Sequence, residues 1–309
     1  MKDLWRLRAI RQLTLGLAPL LVIGVAVLIA LSIKGSEVSG RLREATGRAD
    51  GVVQRIDSSH HASITWTDRD GMRHTSRIGY PADNAPDRGA TVLVHYVPDN
   101  PSKAYAPRDS TYASADSLTG GVVYLGLLLL IVVIATAVRI GRRTATAKRP
   151  TTPVRLSRVR TRLGVLQRTW LVVSQGRQEH WVPVFWQPEL SGLLGDTPAK
   201  VHGDPQSARV LDLDGTVIWS SGRARQTPPR GRHQANPGTY GRKAPGGEVR
   251  PISLAAQARR DGTFIAISPV LGAIWMYVNG LGAAGFGLAT AVLAGLLFWI
   301  PSTYGSDPT

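Results

Sequence analysis

The sequence predicts an integral membrane α-helical protein with three or four spans, four being favoured, and two small β-rich soluble domains on opposite membrane faces. Three long stretches, 12–33, 117–138 and 262–306, contain no charged residue and no His, and a helix needs about 20 apolar residues to cross a bilayer core. Between these stretches, polar and apolar residues alternate, as in half-buried strands. The basic residues are distributed unevenly, and this predicts the orientation.

The charge distribution orients the chain. The 309 residues have a formal net charge of +16. Residues 34–116 contain 11 bases and 11 acids, whereas residues 139–261 contain 22 bases and 8 acids. Lys and Arg beside a span are retained in the cytoplasm. We therefore expect a multi-pass protein of the plasma (inner) membrane with a cytoplasmic N-terminus, a cytoplasmic 139–261 segment and an extracytoplasmic 34–116 segment.

The predicted elements follow in chain order. They are a cytoplasmic N-terminus (1–12), a first span (13–33), an extracytoplasmic β-domain (34–117), a second span (118–138), a cytoplasmic β-domain (139–222), a basic Pro/Gly-rich linker (223–262), a third span (264–278), a fourth span (281–300) and a tail (301–309). The first apolar segment has 21 residues, more than the 7–15 of a signal peptide, which favours an uncleaved anchor. Residues 35–48 are predicted to be a short polar connector.

The extracytoplasmic domain is predicted to be a β-meander or barrel of about five strands. Ala62, Ile64 and Trp66 alternate with polar residues, which is the period of a half-buried strand. An Asp-Gly pair at 70–71 predicts a hairpin turn, since both residues tolerate positive φ. A further strand is predicted at 91–97.

Residues 89–101 read Gly-Ala-Thr-Val-Leu-Val-His-Tyr-Val-Pro-Asp-Asn-Pro and are followed by the second span. With the preceding span and hairpin, this segment resembles the bacterial domain-of-unknown-function family number 3592, whose signature is Gly-Asp-x-Val-x-Val-x-Tyr-x-Pro-x-Asn-Pro. Ala90 stands where that family has an acidic residue. The resemblance covers about residues 40–140; it implies a membrane-tethered bacterial β-domain, and it brings no activity.

The cytoplasmic segment predicts a second β-rich domain, with strand candidates at 154–173, 178–186, 200–202, 209–213 and 216–220. Pro183 predicts an edge position or a bulge, because proline cannot donate to a ladder. The tract 223–247 contains six bases, many Pro and Gly, and no acid. This composition is typical of disorder.

The final apolar block allows two interpretations. Its 37 residues at 264–300 would form a helix of about 55 Å, longer than the bilayer core of about 30 Å. Asn279-Gly280 predicts a turn, which favours a hairpin of two spans. The alternative is one span from 280 to 300 preceded by an interfacial helix, and the absence of a base in the tail favours that reading.

Two sets of residues are predicted to contact the membrane or another helix. Small residues at every fourth position predict a helix-packing face, against the alternative of a composition bias facing lipid. They are Ala283, Gly287, Ala291 and Gly295. Basic residues after the second span predict contacts with anionic lipid headgroups. They are Arg139, Arg142, Arg143, Lys148 and Arg149. No aromatic platform accompanies the basic tract, so nucleic acid is not an expected partner.

No catalytic, cofactor or metal site is predicted. Asp212 and Asp214 match the first motif of haloacid-dehalogenase-type phosphatases, but later acids that could complete a metal site are few. The glycines at 280, 282 and 285 match a dinucleotide fingerprint without its strand or its acid. Four extracytoplasmic histidines lack the close spacing of metal ligands. They are His60, His61, His74 and His95.

The predicted function is a non-enzymatic, membrane-anchored scaffold or modulator of a protein complex in the cell envelope. Its expected partners are anionic lipids and other membrane or envelope proteins. Two alternatives stay open. One is a metal-dependent hydrolase or phosphatase using Asp212 and Asp214, and the other is a transmembrane sensor with an outer ligand-binding β-domain. The spans lack the ionisable residues that pumps and proton-coupled carriers require, so transport is not expected.

Overall fold

The computed structural model describes residues 5, 7–164, 166–193, 195–235 and 252–308. The chain divides into two compact units. The five-stranded unit comprises Val25–Leu130, and the seven-stranded unit comprises Met1–Gly24 together with Ile131–Thr309. Two long helices, α1 (Arg8–Glu44) and α2 (Ser110–Thr146), each contribute one part to each unit.

Within the described residues, four helical segments are long and apolar enough to cross a membrane. The first two are α1 and α2. The third combines α3 (Leu254–Asp261), a 3-10 turn at Gly262–Ile267 and α4 (Ser268–Val278), and the fourth is α5 (Ala283–Tyr304). The coarse architecture of long apolar helices with two β-sheets therefore agrees with the sequence prediction.

The polar connector predicted at 35–48 is mostly wrong, because α1 continues to Glu44. Lys34 Nζ lies 2.8 Å from Glu37 Oε2, and Arg41 Nη2 lies 2.7 Å from Glu37 Oε1. Such pairs three and four residues apart stabilise a helix by about 0.2–0.5 kcal/mol each. With 37 residues, the helix is about 55 Å long.

The start of α2 also precedes the predicted span. Asp109 Oδ1 accepts the backbone N–H groups of Thr111 at 2.8 Å and Tyr112 at 2.9 Å. A carboxylate at this position satisfies donors that have no partner inside the helix. The cap therefore begins the helix at Ser110, eight residues before the predicted boundary at 118.

The five-stranded sheet is antiparallel, with strand order β3-β2-β1-β4-β5. Its strands are β1 (Gly47–Ile56), β2 (His61–Thr67), β3 (Arg73–Gly79), β4 (Thr91–Val97) and β5 (Asn100–Tyr105). The predicted β2–β3 hairpin is confirmed, with Asp68 accepting the amides of Asp70 and Met72 across its turn. Position 51 in the central strand β1 favours glycine, because an added Cβ would lie 2.6 Å from Ile64 Cγ2.

The second sheet has the order β11-β10-β9-β6-β7-β8, and its successive pairs are antiparallel. Its strands are β6 (Thr151–Leu163), β7 (Leu166–Gln175), β8 (Gln178–Pro183), β9 (Thr197–His202), β10 (Val210–Leu213), β11 (Thr216–Trp219) and β12 (Arg232–Ala235). Pro183 ends β8, the last strand in this order, as predicted for an edge position, and isolated bridges to Ser220 and Arg225 cover part of its outer side. Leu156, Leu171, Val182 and Leu211 are fully buried in the core of this sheet.

The basic linker predicted to be disordered is partly ordered. Strand β12 pairs with β6 from Arg232↔Arg162 to Ala235↔Val159. Further upstream, Arg225 exchanges two backbone hydrogen bonds with Trp181, of 2.7 and 2.9 Å. Pairing through the backbone does not need an apolar side chain, so the polar composition did not prevent it. Residues 236–251 of the predicted linker lie outside the described part of the chain.

The seven-stranded sheet is packed directly onto the first turns of α1. Ala9, Ile10 and Leu13 share one buried apolar cluster with Phe185 and Trp219. All five side chains are at most 7 % exposed. This cluster joins the helix to the sheet through apolar burial, which is worth about 25 cal/mol per Å².

The tail after α5 is inserted into the same sheet. Asp307 is fully buried, and its carboxylate Oδ2 lies 3.0 Å from Nη2 of the buried Arg158. The same oxygen accepts the Thr169 hydroxyl at 2.7 Å. Asp307 also donates its backbone N–H to the Gln167 carbonyl at 3.0 Å. The end of α5 is thereby held against β6 and β7.

Helices α4 and α5 form a helical hairpin with a turn at 279–282. Gly280 takes a positive φ of 61° in this turn, a conformation that glycine adopts without strain. The helices approach closely at Gly272, where an added Cβ would lie 2.2 Å from Thr290 Oγ1. Both interpretations of the last apolar block contain two helices with a break at this turn, so both agree with these helices.

Candidate anion-binding cleft

A cleft of about 480 Å³ opens beside the last turns of α2 in the seven-stranded unit. We call it the arginine cleft. It is lined by Ala135, Val138, Arg139, Arg142, Arg143, Gln206, Ser207, Arg209, Ser220, Ser221, Gly222, Arg223 and Ala224. Five of these side chains are arginines, and within the described residues no carboxylate lines the cleft.

The helix α2 contributes three of the arginines. Arg139, Arg142 and Arg143 are three and four residues apart, so they share one face of the helix. Arg143 is only 6 % exposed, and its position is fixed by two hydrogen bonds. Its Nε donates to the Ser220 carbonyl at 2.7 Å, and its Nη1 donates to the Arg139 carbonyl at 3.0 Å.

Arg139 lies beside the end of α5, where its Nη1 donates to the Thr303 carbonyl at 3.1 Å. The last carbonyls of a helix have no partner inside the helix, and they attract cations. The guanidinium of Arg143 lies 5.7 Å from the centre of the Phe185 ring. The helix arginines are thus oriented by carbonyls and by an aromatic ring.

Loops of the sheet supply the other two arginines. The Ser220 N–H donates to the Arg209 carbonyl at 2.8 Å, which brings the segment after β11 beside the start of β10. The next residue, Ser221, donates its N–H to the Pro183 carbonyl at 2.7 Å. The side chains of Arg209 and Arg223 are exposed at the mouth of the cleft.

Arg168 does not line the arginine cleft but contacts Ser221, which does. Its Nη2 donates to the Ser221 hydroxyl at 3.0 Å, and its guanidinium lies 5.2 Å from the rings of both Trp170 and Tyr304. Burial lowers the pKa of Arg168 from 12.5 to about 10. The side chain therefore stays charged at neutral pH and adds to the positive field of the cleft.

One edge of the arginine cleft is apolar. Ala135 and Val138 precede the helix arginines on α2, and both are exposed. Arg guanidinium groups present a planar fork of donors that matches phosphate and carboxylate oxygens. The cleft therefore combines donors for an anion with an adjoining apolar surface.

The structure brings together some of the predicted headgroup residues but not all of them. Arg139, Arg142 and Arg143 line the cleft, whereas Lys148 and Arg149 do not. Lys148 is exposed, and the Arg149 side chain lies against the backbone of Gly203. The sequence did not assign Arg209 and Arg223 to a site with the α2 arginines, because Arg209 adjoins no span and Arg223 was recognised only as part of the basic tract 223–247. Isolated bases beside short strands carry no signal for a shared site.

The four small residues of the predicted packing face have different environments. Gly295 is buried against α1, where an added Cβ would lie 3.1 Å from the Leu20 Cα. Ala291 is half-buried, Ala283 is exposed, and Gly287 faces open space. A close approach of the same two helices also occurs at Gly16, beside Ser302.

The predicted alternative catalytic carboxylates lie on a tight hairpin. Asp212 Oδ1 accepts the Gly215 N–H at 2.7 Å, and Asp214 has a positive φ of 48°. Their strands β10 and β11 are antiparallel neighbours. The Asp212 carboxylate is thus engaged by the turn.

The four histidines that the sequence analysis considered as metal ligands lie in the five-stranded unit. His74 Nε2 lies 2.7 Å from Asp68 Oδ2, and His95 Nδ1 lies 3.2 Å from the Tyr112 hydroxyl. Hydrogen bonding to His74 lowers the pKa of Asp68. Among the residues that the structure describes, no group of three metal-ligating side chains occurs.

Comparisons of this chain with family models, with curated proteins and with solved structures found no match. The resemblance of residues 40–140 to the domain-of-unknown-function family number 3592 therefore stays a prediction.

Proposed function

We propose that this chain is a multi-pass protein of a bacterial plasma membrane that acts as a non-enzymatic scaffold or modulator of an envelope protein complex. One observation carries the proposal: the membrane-type helices are built into the seven-stranded sheet rather than tethered to it. The start of α1 lies in the apolar cluster with Phe185 and Trp219, and the tail after α5 is held by Asp307. A scaffold needs such rigid connections.

The charge pattern supports the sidedness of this proposal. The basic segment 139–261 contains the strands of the seven-stranded sheet, and bases beside spans are retained in the cytoplasm. Because the tail is inserted into this sheet through Asp307, the tail belongs on the same side. The neutral segment 34–116, with the five-stranded sheet, would then face the outside.

The lengths of the helices support four spans. The 3-10 turn of six residues and α4 of eleven residues together rise about 28 Å, because a 3-10 helix rises about 2.0 Å per residue and an α-helix 1.5 Å. Helix α5 has 22 residues and rises about 33 Å. Both values are near the bilayer core of about 30 Å. A hairpin of two spans also returns the tail to the side of 139–261.

The chain contains no cysteine, so single introduced cysteines would report sidedness directly. We choose three exposed positions: Asp70 in the five-stranded unit, Asp196 in the seven-stranded unit and Asn279 in the α4–α5 turn. A membrane-impermeant maleimide should label Asp70→Cys and Asn279→Cys on intact cells. It should label Asp196→Cys only after the membrane is opened. Labelling of Asp196→Cys on intact cells would refute the orientation, and protection of Asn279→Cys would refute the two-span hairpin.

The scaffold role is tested separately in native membranes. Chemical crosslinking followed by affinity purification and mass spectrometry should recover the same envelope proteins in independent preparations. An unrelated four-span protein expressed at the same level is the control. Recovery of no reproducible partner above this control would overturn the scaffold proposal and leave the membrane topology unaffected.

A further inference from the structure

We propose that the arginine cleft binds the phosphate group of an anionic phospholipid, with an acyl chain lying along the apolar edge of α2. This inference rests on the proposed membrane placement. The proposed function names anionic lipids as partners in general, and this inference assigns one of them to a binding site of defined residues. The shared chemistry is a phosphate anion held by several guanidinium groups.

The first argument is the uncompensated charge. Arg139, Arg142, Arg143, Arg209 and Arg223 converge on one cleft of about 480 Å³, a volume within the usual range of small-molecule sites. None of the five is in an ion pair with another described residue. Like charges at close distance repel, and an anion between them removes that repulsion.

The second argument is preorganisation. The sheet and the helix hold Arg143 through two backbone carbonyls, at 2.7 and 3.0 Å. Arg139 is held by the Thr303 carbonyl. Binding an anion therefore costs little of the side-chain entropy that a flexible arginine would lose. Ser207 and Ser220 also line the cleft, and the Ser207 hydroxyl donates to the Asp204 carbonyl at 3.5 Å.

The third argument selects a lipid over a soluble anion. Exposed Ala135 and Val138 border the cleft on the side of the predicted span. A soluble anion makes no favourable contact with this apolar edge, whereas the acyl chain of a lipid can pack against it. The cleft thus has a basic part for the lipid phosphate and an apolar edge for the acyl chain.

The depth of the cleft also matches a headgroup. The second span is predicted to end at Val138, and the helix arginines lie one to five residues beyond it. At 1.5 Å per residue, this places them about 1.5–7.5 Å outside the hydrocarbon core. The headgroup layer adds about 5–8 Å to each side of that core. Lipid phosphates of the cytoplasmic leaflet lie at this depth.

The test compares two double variants of the full chain that carry the same change of charge. Arg209→Gln with Arg223→Gln removes two exposed arginines from the cleft. Lys148→Gln with Arg149→Gln removes two bases near the end of α2 but outside the cleft. Both proteins are purified in a neutral detergent. An unchanged size-exclusion profile and melting temperature show that each variant is folded.

Binding is measured by native mass spectrometry and by thermal stabilisation on titration with phosphatidylglycerol. A base in contact with the anionic headgroup changes binding about fivefold, so the cleft variant, which loses two such bases, should bind about thirtyfold more weakly. The control variant should change by less than about threefold. Equal weakening of both variants would overturn the cleft as the site and indicate diffuse attraction.

Further ligands distinguish the sources of the anion. Phosphatidylcholine, which has no net charge, should stabilise the protein far less than phosphatidylglycerol. Inorganic phosphate and pyrophosphate should compete only weakly, because they lack an acyl chain. If either anion alone binds as tightly as phosphatidylglycerol, the lipid assignment is wrong and the site takes a soluble phosphate. The cysteine-labelling experiment reports the topology independently, so the failure of either proposal can be recognised.

Discussion

The buried ion pair between Arg158 and Asp307 should make the seven-stranded unit sensitive to the loss of either partner alone. Arg158 is 1 % exposed and Asp307 is fully buried, with Nη2 and Oδ2 3.0 Å apart. Asp307→Asn keeps the shape of the side chain but removes its charge. The Arg158 guanidinium then loses the charged carboxylate that lies 3.0 Å from its Nη2, while it stays buried.

We expect Asp307→Asn to lower the free energy of unfolding by about 3–5 kcal/mol, the usual cost of removing one partner of a buried pair. For a unit of this size, about 2–4 °C of melting temperature corresponds to each kcal/mol, so the midpoint should fall by roughly 6–20 °C. The assay is thermal unfolding in detergent, followed by tryptophan fluorescence. Trp170 and Trp219 are buried in this unit and report its unfolding.

The control is Asp196→Asn, an exposed residue of the same unit, which should change the free energy by less than about 0.5 kcal/mol. The double variant Arg158→Met with Asp307→Leu should recover part of the loss, since both members of the buried pair are replaced by apolar side chains. The recovery is incomplete because the Leu190 carbonyl and the Thr169 hydroxyl lose their partners. If Asp307→Asn and Asp196→Asn have the same melting temperature, the reasoning is refuted.

Three further predictions concern packing and pH. Gly295→Leu should lower the melting temperature, because the larger side chain separates α5 from α1. Gly287 has open space around it, so Gly287→Leu should leave the melting temperature nearly unchanged. Equal effects of the two substitutions would contradict the packing assignment. Gly51→Val should destabilise the five-stranded unit by about 1–3 kcal/mol through overpacking, which chemical denaturation would measure. An unchanged denaturation midpoint would disprove the close approach of Gly51 to Ile64. The backbone hydrogen bond from His61, together with the other hydrogen bonds that Asp57 accepts, lowers the pKa of Asp57 from 3.8 to about 2. Because a lowered carboxylate pKa stabilises the fold above its unfolded value, this contribution should be lost as the pH falls from about 4 to 2. Asp57→Asn should weaken the acid dependence in that interval, and an unaltered acid titration of stability would count against the assignment.

The sequence was sufficient for features that depend on near neighbours. Uncharged stretches predicted the long apolar helices, because charge in hydrocarbon is costly over any such segment. The alternation at Ala62, Ile64 and Trp66 predicted β2, since side chains of a strand point to opposite faces. The turn at 68–71 followed from its Asp and Gly residues. Each of these signals is contained in a few consecutive residues.

Other features depended on partners far along the chain. The polar composition of 232–235 gave no sign that β6 offered a free edge for β12. The candidate site was predictable only in its α2 half, from Arg139, Arg142 and Arg143. Its other arginines reach the cleft through backbone pairing between the segments around Arg209 and Ser220.

The amino-acid sequence by itself was enough to predict the long apolar helices, and its charge distribution predicts a side of the membrane for each segment, because solvation and charge act locally. The tertiary structure alone decided that the tail is inserted into the seven-stranded sheet and that five separated arginines share one cleft. The burial of Asp307 and the convergence of those arginines depend on long-range chain packing, and packing of this kind has no local sequence pattern.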